Sequence, residues 1–185
     1  MNTQQAASSA PAKFEMVDTP DGPFVVVERS GAVIAAGWSD HVDLIAARAG
    51  VQPDSVTRAS LASADAVRAW YAGDAQALER VEVSQAGTAF QVAVWGQLRQ
   101  IPSGQVRRYG EVALALGSPG ASRAVGAACG RNAVALFVPC HRVVGASGKL
   151  TGFAWGVEVK RSLLEREASA GASSFSIGWR DEGRL

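Results

Sequence analysis

Long apolar runs are missing from this 185-residue chain, and cysteine is scarce. Nothing approaches the roughly 20 consecutive apolar residues that a membrane span requires, so no membrane partner is expected. The two cysteines, Cys129 and Cys140, are too few for a disulfide framework, and neither lies in a Cys-x-x-Cys or Cys/His cluster with metal-ligand spacing. Structural zinc is therefore not expected, and the thiols read as those of a reduced, cytoplasmic protein. The opening stretch MNTQQAASSAPAK lacks the basic-then-apolar order of a signal peptide and reads as a disordered lead. No internal repeat is visible. Strong net charge is absent as well: 18 Lys and Arg against 17 Asp and Glu leave +1.

That balance hides a polarity. Residues 1–87 hold six Lys/Arg against eleven Asp/Glu, a net of −5, whereas residues 88–167 hold ten against four, a net of +6. A basic half suggests an anionic partner, although a chance split of solvated charges gives the same numbers.

The first half reads as α/β. Phe24–Trp38 has two β-prone runs joined by Ser-Gly, the pattern of a hairpin, and Ser60–Gly73 reads as a helix stopped by glycine. His41, Asp40 and Asp43 read as solvated surface. In the second half Thr88 can cap a helix whose Phe90, Val94, Leu98 and Ile101 form one stripe. A short helix follows at Tyr109–Gly117, with Val112, Ala115 and Leu116 inward. Ser118 as cap and Pro119 as first helical residue predict a third helix over 119–130. Helix, tight turn and helix in a basic context outline a helix-turn-helix, an outline that any α-hairpin shares. Arg123, Gly126, Ala127 and Gly130 share one nearly bare face of the third helix. Such a face suits tight helix packing, or the narrow groove of a nucleic acid with one arginine reaching into the base stack.

The stretch FVPCHRVVG (Phe137–Gly145) sets a thiol, an imidazole and a guanidinium inside an apolar run where a buried strand is expected. A Cys in a Val-rich strand is ordinarily packing. Two consecutive basic residues seldom are, and Pro139 cannot donate to a sheet ladder, so a functional thiol stands beside the packing reading.

PCHRV resembles the active-site signature of the O6-alkylguanine-DNA alkyltransferases (methylated-DNA–protein-cysteine methyltransferases). The resemblance runs in order and spacing from Phe90 to Glu167, about 80 residues, through FQVAVWGQLRQIPSGQVRRYGEVALALGSPGASRAVGAACGRN and PCHRVVGASGKLTGFAWGVEVKRSLLERE. It implies an α/β first domain, ribonuclease H-like, and a mainly α second domain with a winged helix-turn-helix-like DNA-binding fold. The expected division is a lead over 1–12, the α/β domain over 13–79, a linker over 80–88, the DNA-binding alkyltransferase domain over 89–168 and a tail over 169–185.

The resemblance also implies a single-turnover DNA repair reaction that calls for no cofactor and no metal. O6-alkylguanine, and O4-alkylthymine with it, is flipped from the duplex and its alkyl group passes irreversibly to Cys140. His141 then acts as base and Glu167 as its acidic partner, with a water bridging thiol and imidazole, since neighbours on an extended strand face opposite ways. Tyr109 protonates the leaving guanine, Asn132 ties the third helix to the active-site loop, and Arg142 is structural. Arg123 fills the vacated stack, while Ser122, Gly126, Ala127 and Arg108 meet DNA. Val143, Phe153, Ala154 and Trp155 line the base pocket, the loop Ser147–Trp155 forms its wall, and Cys129 is packing. The implied partner is duplex DNA carrying alkylated bases, met by a monomer with cooperative assembly on DNA left open.

The sequence departs from the family pattern at Arg108, where Ser or Thr is usual, and at Ala133, where Pro is usual. Phe153 stands in place of a common Tyr, and Trp155 in place of a smaller residue. Two other functions compete, a non-catalytic binder of alkylated DNA and a Cys-His-Glu hydrolase. The presence of Cys140 argues against the first, and the adjacency of Cys and His against the second.

Overall fold

The computed structural model describes residues 10–150 and 152–170. The expected lead and C-terminal tail fall largely outside them. The chain divides into two compact units, Met1–Ala86 with Ala133–Phe137, and Gly87–Asn132 with Val138–Leu185.

Among the described residues the first unit is a four-stranded sheet with two α-helices. Strands β1 (Ala12–Thr19), β2 (Gly22–Arg29) and β3 (Ala32–Trp38) run antiparallel, and β4 (Val56–Arg58) joins β1 in parallel, giving the order β3-β2-β1-β4. Helices α1 (Val42–Arg48) and α2 (Ala62–Tyr71) complete it. Strand β2 is covered on both faces, since Phe24, Val25, Val26 and Val27 are all fully buried, which explains an apolar run without alternation. The Ser-Gly turn has both central residues left-handed (Ser30 φ 54°, Gly31 φ 82°), as a two-residue hairpin whose twist matches its strands requires. Strand β1 was not foreseen. Its Lys13, Glu15 and Asp18 blur the alternation, yet Ala12 opens it and is already buried.

The outer edge of β3 is closed by short backbone pieces. Val33 N–H donates to Glu82 O (2.9 Å) and Ser84 N–H to Val33 O (2.9 Å). Further along, Ala36 N–H donates to Ala133 O (2.8 Å) and Ala135 N–H to Ala36 O (3.0 Å). Residues 133–137, which the sequence assigned to the second domain, thus complete the first. They meet β3 through an isolated bridge between Val134 and Ala36.

The second unit holds α3 (Ala89–Arg99), β5 (Arg107–Arg108), α4 (Tyr109–Ala115), α5 (Ser122–Gly130), β6 (Val143–Val144) and α6 (Val157–Ala170). Thr88 caps α3 in a reciprocal box, accepting from Gln91 N–H (3.3 Å) while Gln91 Oε1 accepts from Thr88 N–H (2.9 Å). Val94, Leu98 and Ile101 are buried as the stripe predicts, and Trp95 joins them. In α4 the inward residues are Val112 and Ala113, whereas Ala115 is exposed. The third helix starts at Ser122, not at Pro119. Ala121 N–H instead donates to Ser118 O (2.9 Å), so Ser118–Ala121 is a β-turn with proline at its second position, where a fixed φ is equally at home. Strands β5 and β6 pair in parallel, Arg107 with Val143 and Arg108 with Val144.

Candidate active site

The backbone around Cys140 is bent, not extended. Leu136 adopts φ 71° as Phe137 N–H closes onto Ala135 O (2.9 Å). Pro139 (φ −81°, ψ 64°) sits in a second three-residue turn closed by Cys140 N–H to Val138 O (2.8 Å), a conformation that the pyrrolidine ring presets. Cys140–Arg142 then forms one turn of 3-10 helix, with Arg142 N–H on Pro139 O (3.0 Å). This corrects the expectation that Cys140 and His141 face opposite ways on a strand, because successive side chains in a 3-10 turn are about 120° apart.

All three side chains of the turn are withdrawn from solvent. Cys140 is 8% exposed, His141 0% and Arg142 7%. Asn132, two residues past the end of α5 and equally buried, donates its Nδ2 to Val138 O (2.8 Å) and to Cys140 Sγ (3.3 Å). An N–H aimed at sulfur favours the thiolate over the thiol. Ala133 in place of proline does not disturb this contact, which is made by the side chain of Asn132.

Glu167, on α6, gathers the polar groups. Its Oε1 lies 3.0 Å from His141 Nε2 and 2.7 Å from Arg142 Nη2. Its Oε2 accepts from Arg142 Nε (2.9 Å) and from Gly104 N–H (3.2 Å). Arg142 Nη1 in turn donates to Ile101 O (2.6 Å). Burial opposes ionisation of Glu167, but the His141 and Arg142 side chains outweigh it and bring the carboxyl pKa down to about 2. Burial also lowers the His141 pKa, against the pull of Glu167, so the imidazole is neutral. With Nε2–H donated to the carboxylate, Nδ1 carries the lone pair. No described group hydrogen-bonds that nitrogen, although the ring is fully buried. A thiol, a base with a free acceptor nitrogen and a fixed carboxylate are the parts of a nucleophile-activating relay.

Cys129, half-buried on α5, differs sharply from Cys140. Burial first, and Cys140 nearby, push its thiol up to about 12, so it stays protonated. Tyr109 opens α4 with its ring over Gly126 of α5, where an added Cβ would lie 3.8 Å from the ring. Arg123, Ala127 and Gly130 are exposed on α5, Gly126 and Ser122 are half-buried, and the opposite face buries Val125 and Ala128. Arg108 is exposed in β5, and its backbone N–H donates to Glu111 Oε2 (2.5 Å). Val143 is buried in β6. Phe153 and Trp155 are half-buried and Ala154 exposed in the turn before α6. Three groups escaped the sequence reading: Gly104, whose N–H holds Glu167, the Ile101 carbonyl, and Lys160, fully buried with Nζ on Val143 O (2.7 Å). Gly104 carried a legible signal, because it sits in a Pro-Ser-Gly turn, and its φ of 78° favours glycine.

Among the described residues no group of His, Cys, Asp and Glu could hold a metal ion, and no helix is long and apolar enough to cross a membrane.

Comparison with known proteins adds an independent line. Residues 89–169 match the family model described as 6-O-methylguanine DNA methyltransferase, DNA binding domain. A methylated-DNA–protein-cysteine methyltransferase of Mycobacterium bovis is 40% identical over 164 residues, which span 89% of this chain and 97% of that one. One from Shigella flexneri is 39% identical over 161 residues, 83% and 94% of the two chains. The solved O6-methylguanine methyltransferase of Mycobacterium tuberculosis superposes with a TM-score of 0.72 at 36% identity, covering 88% of this chain and 96% of that one. A structure titled as the M. tuberculosis protein OGT in complex with DNA gives 0.73 at 37%, covering 85% and 94%.

Proposed function

The chain belongs to the methylated-DNA–protein-cysteine methyltransferase family, and from that premise we propose that Cys140 is the atom-accepting residue and that each molecule reacts once. The protein is a DNA-binding repair methyltransferase that moves an alkyl group from DNA onto its own cysteine. What carries the assignment to Cys140 is the relay beside it, a neutral imidazole held by an ionised Glu167 with Nδ1 left to accept a proton.

The reaction proceeds as a displacement at carbon. The Cys140 proton passes to His141 Nδ1 through a bridging water, and Glu167 stabilises the imidazolium. The thiolate attacks the alkyl carbon of O6-alkylguanine, or of O4-alkylthymine. A C–S bond forms, the C–O bond breaks, and the electron pair leaves with the base, whose anion takes the Tyr109 hydroxyl proton; the proton held by His141 then restores the phenol through solvent, so that the thiol proton has in net terms passed to the base. A thioether has no ready route back to thiol, so turnover ends there. The bound target must leave the base stack, at a cost of a few kcal/mol. The α4–turn–α5 pair, with β5–β6 as its wing, is read as a winged helix-turn-helix that lays the bare face of α5 in the minor groove. The order β3-β2-β1-β4 with a parallel fourth strand supports the ribonuclease H-like reading of the first unit.

The test is a mass spectrum after incubation with a duplex containing O6-methylguanine. One added methyl on the Cys140 peptide, in stoichiometric yield, is expected. A non-catalytic binder shows none, and a hydrolase turns over many substrates with no stable adduct.

Arg123→Ala should slow methyl uptake from duplex DNA by about tenfold or more, because nothing then fills the vacated stack. Its labelling by iodoacetamide should match wild type, and equal loss on both substrates would argue against a role in base extrusion. Trp155 limits bulky adducts. Trp155→Gly should raise benzyl transfer by roughly 10–200-fold relative to methyl transfer, the range a misfitting apolar group ordinarily commands. Comparable methyl and benzyl rates in wild type, unchanged by the substitution, would refute it.

A further inference from the structure

Trp95 is buried on α3, and its indole Nε1 donates to the carbonyl of Ala128 on α5, a residue that is buried as well (2.9 Å). A carbonyl inside an α-helix ordinarily accepts from the N–H four residues on, which for Ala128 is that of Asn132. The ladder holds as far as Arg131, whose N–H donates to Ala127 O (3.1 Å). Asn132 N–H then turns to Cys129 O (3.2 Å), a three-residue step, and the Ala128 carbonyl takes the indole.

This exchange of partners sets the direction in which the chain leaves α5. A three-residue turn advances by about 120° and 2.0 Å per residue, against about 100° and 1.5 Å in an α-helix. Asn132 is thereby rotated and raised relative to a continued helix, and from there its Nδ2 reaches both Val138 O (2.8 Å) and Cys140 Sγ (3.3 Å). The indole is held from its far side too. A Cβ added at Gly87, the residue before the cap Thr88, would stand 2.6 Å from Cη2 and Cζ3 of the Trp95 ring and 2.9 Å from Gln91 Oε1. That oxygen is already engaged by Thr88 N–H in the capping box. A side chain at 87 would displace the ring, so the glycine and the tryptophan are matched, and together they fix where the indole N–H points.

We propose that Trp95 is a positioning residue for the Cys140 thiolate: by taking the Ala128 carbonyl it ends α5 on a tightened turn and aims the Asn132 amide at the sulfur. This rests on the reading of Cys140 as the alkyl acceptor and goes beyond the Cys-His-Glu relay. Without the indole N–H a buried carbonyl is left unpaired, and the helical ladder offers Asn132 N–H to relieve it. Taking that offer restores the four-residue step and swings Nδ2 away from Cys140, which loses an N–H that favours its anionic form. The ionisable groups around the thiol include His141 and Arg142 on its own turn, Cys129 on α5, and Lys160 and Glu167 on α6, and the substitutions below leave all of them in place.

The test compares full-length wild type with Trp95→Phe, Asn132→Ala and the double variant, and with protein carrying benzothienylalanine at position 95, which keeps the shape of tryptophan and lacks the N–H. Each is labelled with iodoacetamide across pH, and the Cys140 peptide is followed by mass spectrometry. Losing the N–H at 95 should raise the labelling midpoint by about half a unit or more, a roughly threefold loss of thiolate at neutral pH. Methyl uptake from an O6-methylguanine duplex should fall in parallel. In the Asn132→Ala background the same substitution should leave the midpoint where it is, because a residue acting through Asn132 then has nothing to aim. A midpoint unmoved by Trp95→Phe, or moved equally with and without Asn132, overturns the proposal. Should either substitution prevent folding, the benzothienyl protein, isosteric with wild type, decides by its midpoint alone. Failure of wild type to take up methyl from DNA would instead refute the alkyl-acceptor reading and leave the thiol measurement standing.

Discussion

Cys140→Ser is expected to abolish methyl uptake from O6-methylguanine duplexes while leaving DNA affinity within about twofold of wild type, since the side chain is 8% exposed and changes little in volume. Oxygen replaces sulfur almost isosterically, so Asn132 Nδ2 keeps an acceptor and the turn keeps its shape. What is lost is acidity. A thiol near pKa ~8.5 is within reach of a neutral imidazole, whereas a serine hydroxyl is not, and without the anion there is no displacement at carbon. Losing the nucleophile of a coupled relay ordinarily costs on the order of a millionfold, well below detection in a stoichiometric assay. Cys129 cannot substitute, because its thiol is held at about 12. Gel-shift and methyl-transfer assays on the same preparation decide it, and residual repair in the serine variant would remove the basis for the proposed chemistry.

The second large effect is on stability. Glu167→Gln should lower unfolding free energy at neutral pH by about 3–5 kcal/mol, the usual consequence of taking one partner from a buried ion pair and stranding the other. Arg142 would then be left 7% exposed against a neutral amide. The wild-type acid profile gives an independent reading. Glu167 falls from its ordinary 4.5 to about 2 on folding, so its contribution is complete above pH 4.5 and is lost as pH falls towards 2, roughly 3 kcal/mol in all. His141 acts in the same direction. Its pKa is also lowered on folding, so stability is lost as pH drops below its ordinary 6.5 and the unfolded chain takes up the proton. Urea titrations at a series of pH values should show the carboxylate step in wild type and its absence in Glu167→Gln. A variant within about 1 kcal/mol of wild type at pH 7 would mean that the pair carries no net stability.

The family and its activity were legible in PCHRV and its surroundings, and local chemistry carried much of the fold. Thr88 marks a helix start by a side chain that can reach back to the backbone, and the structure adds Gln91 as its reciprocal partner. Ser30-Gly31 marks a hairpin because few residue pairs tolerate two left-handed conformations in a row. What escaped is set by distant partners. Residues 133–137 read as part of the second half because they are contiguous with it, yet Ala36 supplies their backbone bonds. Pro119 fits a first helical turn and a β-turn equally well, and the tight connection to α5 selected the turn. The 3-10 turn at Cys140 follows from hydrogen bonds closed around Leu136 and Pro139, which no periodicity reports. Lys160 was invisible because lysine on an amphipathic helix ordinarily marks the solvent face, and here it does the reverse.

The excursion of Ala133–Phe137 into the first unit has a genetic corollary. These five residues, all buried, lie between Asn132 and Val138 in the chain, and their hydrogen-bonding partner on β3 is encoded about a hundred codons upstream. A gene fragment starting near codon 87 would translate every residue of the reactive centre but orphan Val134, Leu136 and Phe137 next to it. Trimming the reactive half to a free-standing cassette would therefore strip these apolar residues of the β3 edge that covers their backbone in the full chain, a cost that keeping the N-terminal half avoids.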